Sequence, residues 1–149
     1  MSTTSWLRRP VPDVNDRALH VWHWELRSSR ELTGARMSLR QELLSARGGA
    51  RTHEDDADLL LLAFEELASN GLRHGRPPVT ATVSATPAGW LIDVSDADAG
   101  QLPAPAVDRD PAYGGLGLHL VLGLSTTHGW SVHSGRKHVW ACVPRASVI

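Results

Sequence analysis

The sequence has 149 residues, an apolar fraction of 42% and a single cysteine, so it can build one domain with its own core and cannot form an intrachain disulfide. Its formal net charge of −1 excludes a strong overall field toward nucleic acid or an anionic membrane, so we expect no direct nucleic-acid partner. No apolar run approaches the roughly 20 residues of a membrane span, and no apolar segment of the signal-peptide type follows Arg8 and Arg9, so we expect a cytoplasmic protein that does not bind membranes.

The N-terminal residues differ in character from the rest of the chain. Pro10 and Pro12 interrupt mixed polar residues, a composition that is typical of segments without regular structure. We therefore predict a flexible N-terminal arm at 1–18 and one folded domain at 19–149. The domain opens with a predicted strand at 19–27, which is rich in aromatic and β-branched residues.

Two amphipathic helices are predicted after this strand. Apolar residues recur at helical spacing from about 28 to 46, with Ser28 as a candidate N-cap and Glu31 placed to complete a capping box. A second helical pattern runs from about 54 to 72 and opens with acidic residues, which the helix dipole favours in a first turn. Gly75 and the two prolines shortly after it are expected to end this helix.

The second half of the chain predicts four strands and one more helix. Two alternating segments around a Pro-Ala-Gly turn indicate a hairpin, and a long loop, a helix and a second hairpin follow. The predicted limits are 79–85 and 90–95 for the first hairpin, 97–114 for the loop, 116–127 for the helix, and 130–133 and 138–143 for the second hairpin. Because the helices are segregated from the strands, we predict an α+β fold of two layers: a mixed, mostly antiparallel sheet covered on one face by helices.

The second predicted helix carries a carboxylate and an amide that face the same way. Glu66 and Asn70 are four residues apart, so their side chains lie on one helix face and can converge on one point. An amide oxygen is a neutral hard ligand that suits Mg²⁺, and a carboxylate can accept a proton from water or from a hydroxyl. The same spacing also occurs among solvated surface residues, so this pair alone leaves both interpretations open.

Two further turns have the chemistry of a ligand site. Asp96 ends a predicted strand, where a carboxylate can accept a hydrogen bond from an exocyclic amine such as that of adenine, and Gly100 lets the backbone turn close to a ligand. A plain Asp-Gly turn is the alternative. Gly115 and Gly117 open the third helix, where free backbone N–H groups form an anion site. No Gly-Lys-Ser/Thr follows them, which excludes a Walker-type phosphate loop.

In this order the motifs resemble those of the GHKL ATPases, which have the Bergerat fold, and within that family the anti-sigma-factor serine kinases of bacteria. The resemblance covers roughly residues 19–145 and departs from the family pattern at Asp98, where the first glycine of a glycine box is usual. The matching stretches are the N-box at 66–75, the box usually written Asp-x-Gly-x-Gly at 96–100, the second glycine box at 115–121 and the closing stretch at 137–141.

The resemblance implies a role for each matching residue. Glu66 would be the general base or the carboxylate that orients water, Asn70 would ligate Mg²⁺, and Asp96 would accept the hydrogen bond of the adenine amine. The loop 101–113 would be an ATP lid. The other residues implied in binding ATP are Arg73, His74, Gly100, Gly115, Leu116, Gly117 and Leu118.

Three basic residues each keep two interpretations. Arg73 and His74 can reach phosphate or the lid, or they can interact with the C-terminal end of the helix dipole. Lys137 is the only lysine of the chain, and it stands where the family often has a lysine. Both a phosphate contact and a charge in the hairpin turn fit Lys137, and we favour the turn.

The resemblance implies two functions of different classes. The first is an ATP-binding, anti-sigma-factor-type regulator with serine/threonine protein kinase activity toward an antagonist protein. The second is a non-catalytic, ATP-dependent switch that binds a sigma factor or another partner without phosphoryl transfer. The presence of Glu66 favours the kinase. A homodimer is also consistent with the resemblance.

Overall fold

The computed structural model describes residues 6–45, 52–100 and 116–145. Over these ranges the chain forms β1 (His20–Leu26), α1 (Ser29–Leu44), α2 (Glu54–His74), β2 (Val79–Thr86), β3 (Gly89–Asp96), α3 (Leu116–Leu124), β4 (Thr127–His133) and β5 (Arg136–Pro144). None of these three helices combines the length and the apolar character that crossing a membrane requires.

The five strands form one sheet, and the helices form a second layer against it. The strand order is β1-β2-β3-β5-β4, and each neighbouring pair is antiparallel. One face of the sheet contributes apolar side chains, among them Val83, Ile92 and Ala141, to the main core, which also contains buried residues of the helices. The predicted α+β class, with helices over one face of a mostly antiparallel sheet, is therefore confirmed.

The first helix begins at the predicted N-cap. Ser28 has extended backbone, and its Oγ accepts a hydrogen bond from the backbone N–H of Glu31 at 3.2 Å. The carboxylate of Glu31 accepts a hydrogen bond from the N–H of Arg27 at 2.7 Å. In a capping box this second bond goes to the N-cap residue itself, so the reciprocal contact here reaches one residue further back.

The second helix is the centre of the core. α2 contacts α1, α3 and the strands β2, β3 and β5. Its buried face includes Phe64 and Leu67, which are 0% and 1% exposed. Full burial of such a side chain stabilises the fold by about 1.5–3 kcal/mol. Side chains near the C-terminal end of α2 are therefore attached to a helix that packing holds in place.

The third helix ends earlier than the predicted limit of 127. The backbone N–H of Ser125 still donates to the carbonyl of Val121 at 3.0 Å, as in a helix, but that of Thr126 donates to the carbonyl of Cys142 at 2.9 Å. A strand partner thus replaces the helix partner at this point, and β4 begins at Thr127. The predicted helix limit is wrong because the competing partner is distant in sequence.

Part of the predicted N-terminal arm packs against the sheet beside β4. The N–H of Arg9 donates to the carbonyl of Trp130 at 2.8 Å, and the N–H of Trp130 donates to the carbonyl of Leu7 at 3.1 Å. Trp6 and Val14 are buried, at 5% and 6% exposed. Backbone groups at the edge of a sheet can recruit such a segment, and composition did not indicate it. The domain limits 1–18 and 19–149 stay predictions.

Candidate functional site

Asp96 connects the end of β3 to the turn that follows α2. Its side chain is buried, with 2% exposed. Oδ1 accepts hydrogen bonds from the backbone N–H of Asp98 at 2.7 Å and from that of Arg76 at 3.3 Å. The N–H of Ala97 donates in turn to the carbonyl of Arg76 at 2.8 Å. A ligand bound by Asp96 would therefore lie close to the C-terminal end of α2.

Lys137 is the partner of Asp96 on the neighbouring strand. The two residues are opposite each other in the β3–β5 ladder, and Nζ of Lys137 lies 3.6 Å from Oδ2 of Asp96. Lys137 is 4% exposed, whereas Ser134 and Gly135 form the exposed turn. The interpretation of Lys137 as a charge in the hairpin turn is therefore wrong. β5 begins at Arg136, and strand alternation directs Lys137 toward the helices.

The C-terminal half of α2 presents the predicted polar residues on successive turns. Glu66 and Asn70 are half-buried, and Arg73 and His74 are exposed in the last turn. Residues three and four apart are neighbours on a helix surface, so these side chains line one side of α2. At its C-terminal end, this side of α2 adjoins the turn in which the backbone N–H of Arg76 donates a hydrogen bond to Asp96. The structure thus brings the C-terminal end of the helix that carries the N-box to the end of β3.

The surroundings of Glu66 change its acidity. Burial is the main cause that raises the pKa of the Glu66 carboxyl above its usual value, and the negative charge of Glu65 raises it further. The positive charge of Arg73 lowers this pKa in part. A carboxylate with a raised pKa binds a proton more tightly than an exposed glutamate does, which suits a general base.

Gly71 lets α2 approach the sheet closely. A Cβ atom at this position would lie 3.0 Å from Cγ1 of Val94 and 3.3 Å from Cγ1 of Val79, both tighter than ordinary contacts. Because Asn70 directly precedes Gly71, this approach also determines how far Asn70 lies from the sheet. α3 packs against α2 as well, so the helix that follows the second glycine motif lies beside the helix that carries Asn70.

The second glycine motif is only partly described. Gly115 and the predicted lid at 101–113 lie outside the described residues. Residues 116–117 form the start of α3. Leu118 is 1% exposed and belongs to the core, so its side chain packs against protein and only its backbone is available to a ligand. Gly100 is exposed in the turn after β3.

Two residues around Asp96 were not predicted to contact it. Gly75 was expected to end α2 and the N-box, and Lys137 was expected either in the turn, which we favoured, or at a phosphate. A signal for Lys137 existed, because it is the only lysine among 15 basic residues. Counting alternate residues back from Val139 would also have placed Lys137 on the core face. A Cβ atom at Gly75 would lie 2.6 Å from Oδ2 of Asp96. Gly75 carried no comparable signal, because this contact depends on a strand end that is distant in sequence.

The fold and these contacts define the class of protein. A family model described as the histidine kinase-like ATPase domain matches residues 29–143. This match covers most of the chain, so the chain belongs to the histidine kinase-like ATPase domain family, and the resemblance to GHKL ATPases is confirmed. Comparison with curated proteins finds no significant match. Membership in this family implies that the protein binds ATP.

The described residues offer chemical groups of the kinds that bind ATP and Mg²⁺. Asp96 supplies a buried acceptor for an amine, Asn70 supplies an amide oxygen of the kind that Mg²⁺ accepts, and the start of α3 supplies backbone N–H groups that favour phosphate. Magnesium commonly takes few protein ligands and keeps phosphate oxygens and waters as the others. The role of each residue stays a prediction.

Proposed function

We propose that this protein is an ATP-dependent regulator of the anti-sigma-factor kinase type, which transfers a phosphoryl group to a serine or threonine of an antagonist protein. The observation that best supports the proposal is the buried carboxylate of Asp96, whose bond to the backbone of Arg76 joins it to the end of α2. This bond supports a single site that combines Asp96, as the residue proposed to recognise the base, with the helix that carries the residues proposed to react.

At the base end of this site, Asp96 would accept a hydrogen bond from the adenine amine, beside the turn that contains Gly100. A buried carboxylate discriminates well between nucleotide bases. A base that has no hydrogen-bond donor at that position leaves the carboxylate buried and unpaired, which is unfavourable. The charge of Asp96 also disfavours a base that presents an acceptor there, as guanine does with its carbonyl oxygen.

At the phosphate end, the residues implied are those of the last turns of α2 and of the start of α3. Asn70 would hold Mg²⁺, which offsets the charge of the phosphates. Arg73 and His74 are exposed on the same side of α2, and they would contact phosphate. Residues 115–118 would donate backbone N–H groups, since a helix N-terminus favours anions.

Glu66 would act as the base. As the acceptor hydroxyl oxygen forms its bond to the γ-phosphorus and ADP leaves, the proton of that hydroxyl passes to the carboxylate of Glu66. The raised pKa of Glu66 supports this role, because it brings the basicity of the carboxylate closer to what proton transfer near neutral pH requires.

The experiment that tests the function combines ATP binding with phosphoryl transfer. The full chain is titrated with Mg-ATP by calorimetry and then incubated with γ-labelled ATP and a panel of purified anti-sigma-factor antagonists. We expect Glu66→Gln to bind ATP with unchanged affinity and to lose transfer by about 10²–10⁴-fold. Glu65→Gln, one residue away on α2, serves as the matched control and should retain transfer.

Two other outcomes have definite meanings. Wild-type protein that binds ATP but phosphorylates none of the antagonists would contradict the kinase and favour the non-catalytic switch, which binds a sigma factor or another partner in an ATP-dependent way. Wild-type protein that fails to bind ATP would overturn the whole proposal. Light scattering of the same samples tests the homodimer, and fractionation of cells tests the expected cytoplasmic location.

A further inference from the structure

We infer that Lys137 is a positioning residue of the nucleotide site, and that it holds Oδ2 of Asp96 as the oxygen that accepts the adenine amine. The inference rests on the proposed function, because it takes Asp96 to be the residue that recognises adenine. It adds a residue from β5 to a site otherwise composed of α2, the end of β3 and the start of α3.

The two oxygens of Asp96 have different surroundings. Oδ1 accepts two backbone hydrogen bonds, from Asp98 at 2.7 Å and from Arg76 at 3.3 Å. A carboxylate oxygen has about two lone-pair positions, so these bonds engage Oδ1 fully. Oδ2 faces Nζ of Lys137 at 3.6 Å, a separation at which the charges attract without a direct hydrogen bond. Oδ2 is therefore the oxygen that can accept from a ligand.

The strand pairing makes this arrangement specific. Asp96 and Lys137 occupy directly opposed positions in the β3–β5 ladder, and both side chains are almost completely buried. A buried charge without its partner is strongly unfavourable, so each side chain restricts the rotation of the other. With backbone donors on Oδ1 and a cation beside Oδ2, the carboxylate plane of Asp96 is held from both sides.

The same contact argues against Lys137 as a phosphate ligand. The base and the γ-phosphate are at opposite ends of ATP, so a lysine within ion-pair distance of the base-recognition carboxylate lies at the base end. The charge of Lys137 is also already matched by that of Asp96. Lys137 would thus affect ATP only through Asp96 and the adenine amine.

This mode of action defines the probe. Purine riboside triphosphate differs from ATP only in lacking the 6-amino group, so it can bind the same site without the hydrogen bond to Asp96. Calorimetric titration of the full chain with each nucleotide and Mg²⁺ gives the ratio of the two dissociation constants. We expect wild-type protein to prefer ATP by about tenfold or more, since a hydrogen bond to a charged group has about this effect.

The test variant is Lys137→Met, which removes the charge and keeps an apolar stem of similar length. We expect the preference for ATP to fall to about twofold or less while the affinity for the purine nucleotide stays unchanged. Lys137→Arg should retain most of the preference. Arg136→Gln is the matched control, because Arg136 is adjacent on β5 and its side chain bonds Ser95 and Pro78 on the other face of the sheet.

If Lys137 had a merely structural role, Lys137→Met would weaken the binding of both nucleotides equally. This result in folded Lys137→Met protein would overturn the inference. An unchanged preference for ATP would overturn it as well. If Lys137→Met does not fold, Lys137→Leu replaces it, because it too offers Oδ2 neither a charge nor a donor, and an unchanged preference there has the same meaning. Failure of the wild type to bind ATP would instead contradict the proposed function.

Discussion

A side chain on Gly75 would collide with the carboxylate of Asp96. A Cβ atom at Gly75 would lie 2.5 Å from Cγ and 2.6 Å from Oδ2 of Asp96, closer than real Cβ atoms approach. Gly75 has φ −88° and ψ −174°, a backbone conformation that other residues also adopt. Glycine is therefore required here for space, and the turn after α2 fits directly against the predicted base-recognition residue.

The first prediction is that Gly75→Ala lowers both stability and ATP affinity. The added methyl must displace the carboxylate of Asp96 or the backbone carbonyl of Gly71, and such overpacking costs about 1–3 kcal/mol. Urea unfolding measures the loss of stability, and calorimetry measures the ATP affinity. Gly34→Ala in α1 is the control, because a Cβ there meets nothing within 4 Å. Equal behaviour of the two variants would contradict the close fit.

The second prediction concerns the base end of the proposed site. Asp96→Asn should weaken ATP binding by about tenfold or more, because the neutral amide loses a charge-assisted hydrogen bond. It also leaves Lys137 buried opposite a neutral group, so a loss of stability should accompany the effect. The measurement is the ATP dissociation constant at a temperature where both proteins are folded.

The matched control for Asp96→Asn is Asp93→Asn. Asp93 is on the same strand, but its carboxylate pairs with His138 at 3.0 Å on the face of the sheet away from the helices. ATP affinity should be unchanged in this variant. An equal loss in both variants would show that the effect follows from the strand as a whole, and no loss in Asp96→Asn would remove Asp96 from the nucleotide site.

The third prediction is a shift of the pH profile of phosphoryl transfer. Glu66 must be deprotonated to act as a base, so transfer should decline as the pH falls through its raised pKa. Glu65→Gln removes a negative charge that raises this pKa, so the acidic limb should move to lower pH. Transfer rates measured between pH 4 and 8 test this, and Glu54→Gln at the start of α2 is the control. A shift to higher pH would contradict the assignment.

The fourth prediction concerns the N-terminal contact. Trp6 is 5% exposed, and its ring lies 4.9 Å from that of His128 in an edge-to-face arrangement. Trp6→Ala should therefore destabilise the protein by about 3–5 kcal/mol, as truncation of a buried tryptophan does. Leu7→Ala should change stability by less than about 0.5 kcal/mol, because Leu7 is 50% exposed. Equal unfolding midpoints would show that the N-terminal contact contributes little.

Local patterns predicted the elements well where the cause was local. Ser28 could be recognised as an N-cap because its hydrogen bond reaches only to Glu31. The acidic first turn and Gly75 marked the ends of α2 because helix ends depend on nearby residues. The predicted end of α3 was wrong by contrast, because the carbonyl of Cys142 accepts the hydrogen bond of the Thr126 N–H there.

The sequence by itself determined the class of fold, the helix with Glu66 and Asn70, and the strand that ends in Asp96, because periodicity, capping and motif spacing are properties of neighbouring residues. Only the tertiary structure decided what surrounds Asp96. The pairing of β3 with β5 placed Lys137 beside its carboxylate, and the end of α2 placed Gly75 against it. These contacts join segments far apart in the chain: strand pairing brings Lys137 to Asp96, and the packing of α2 against the sheet brings Gly75 to it.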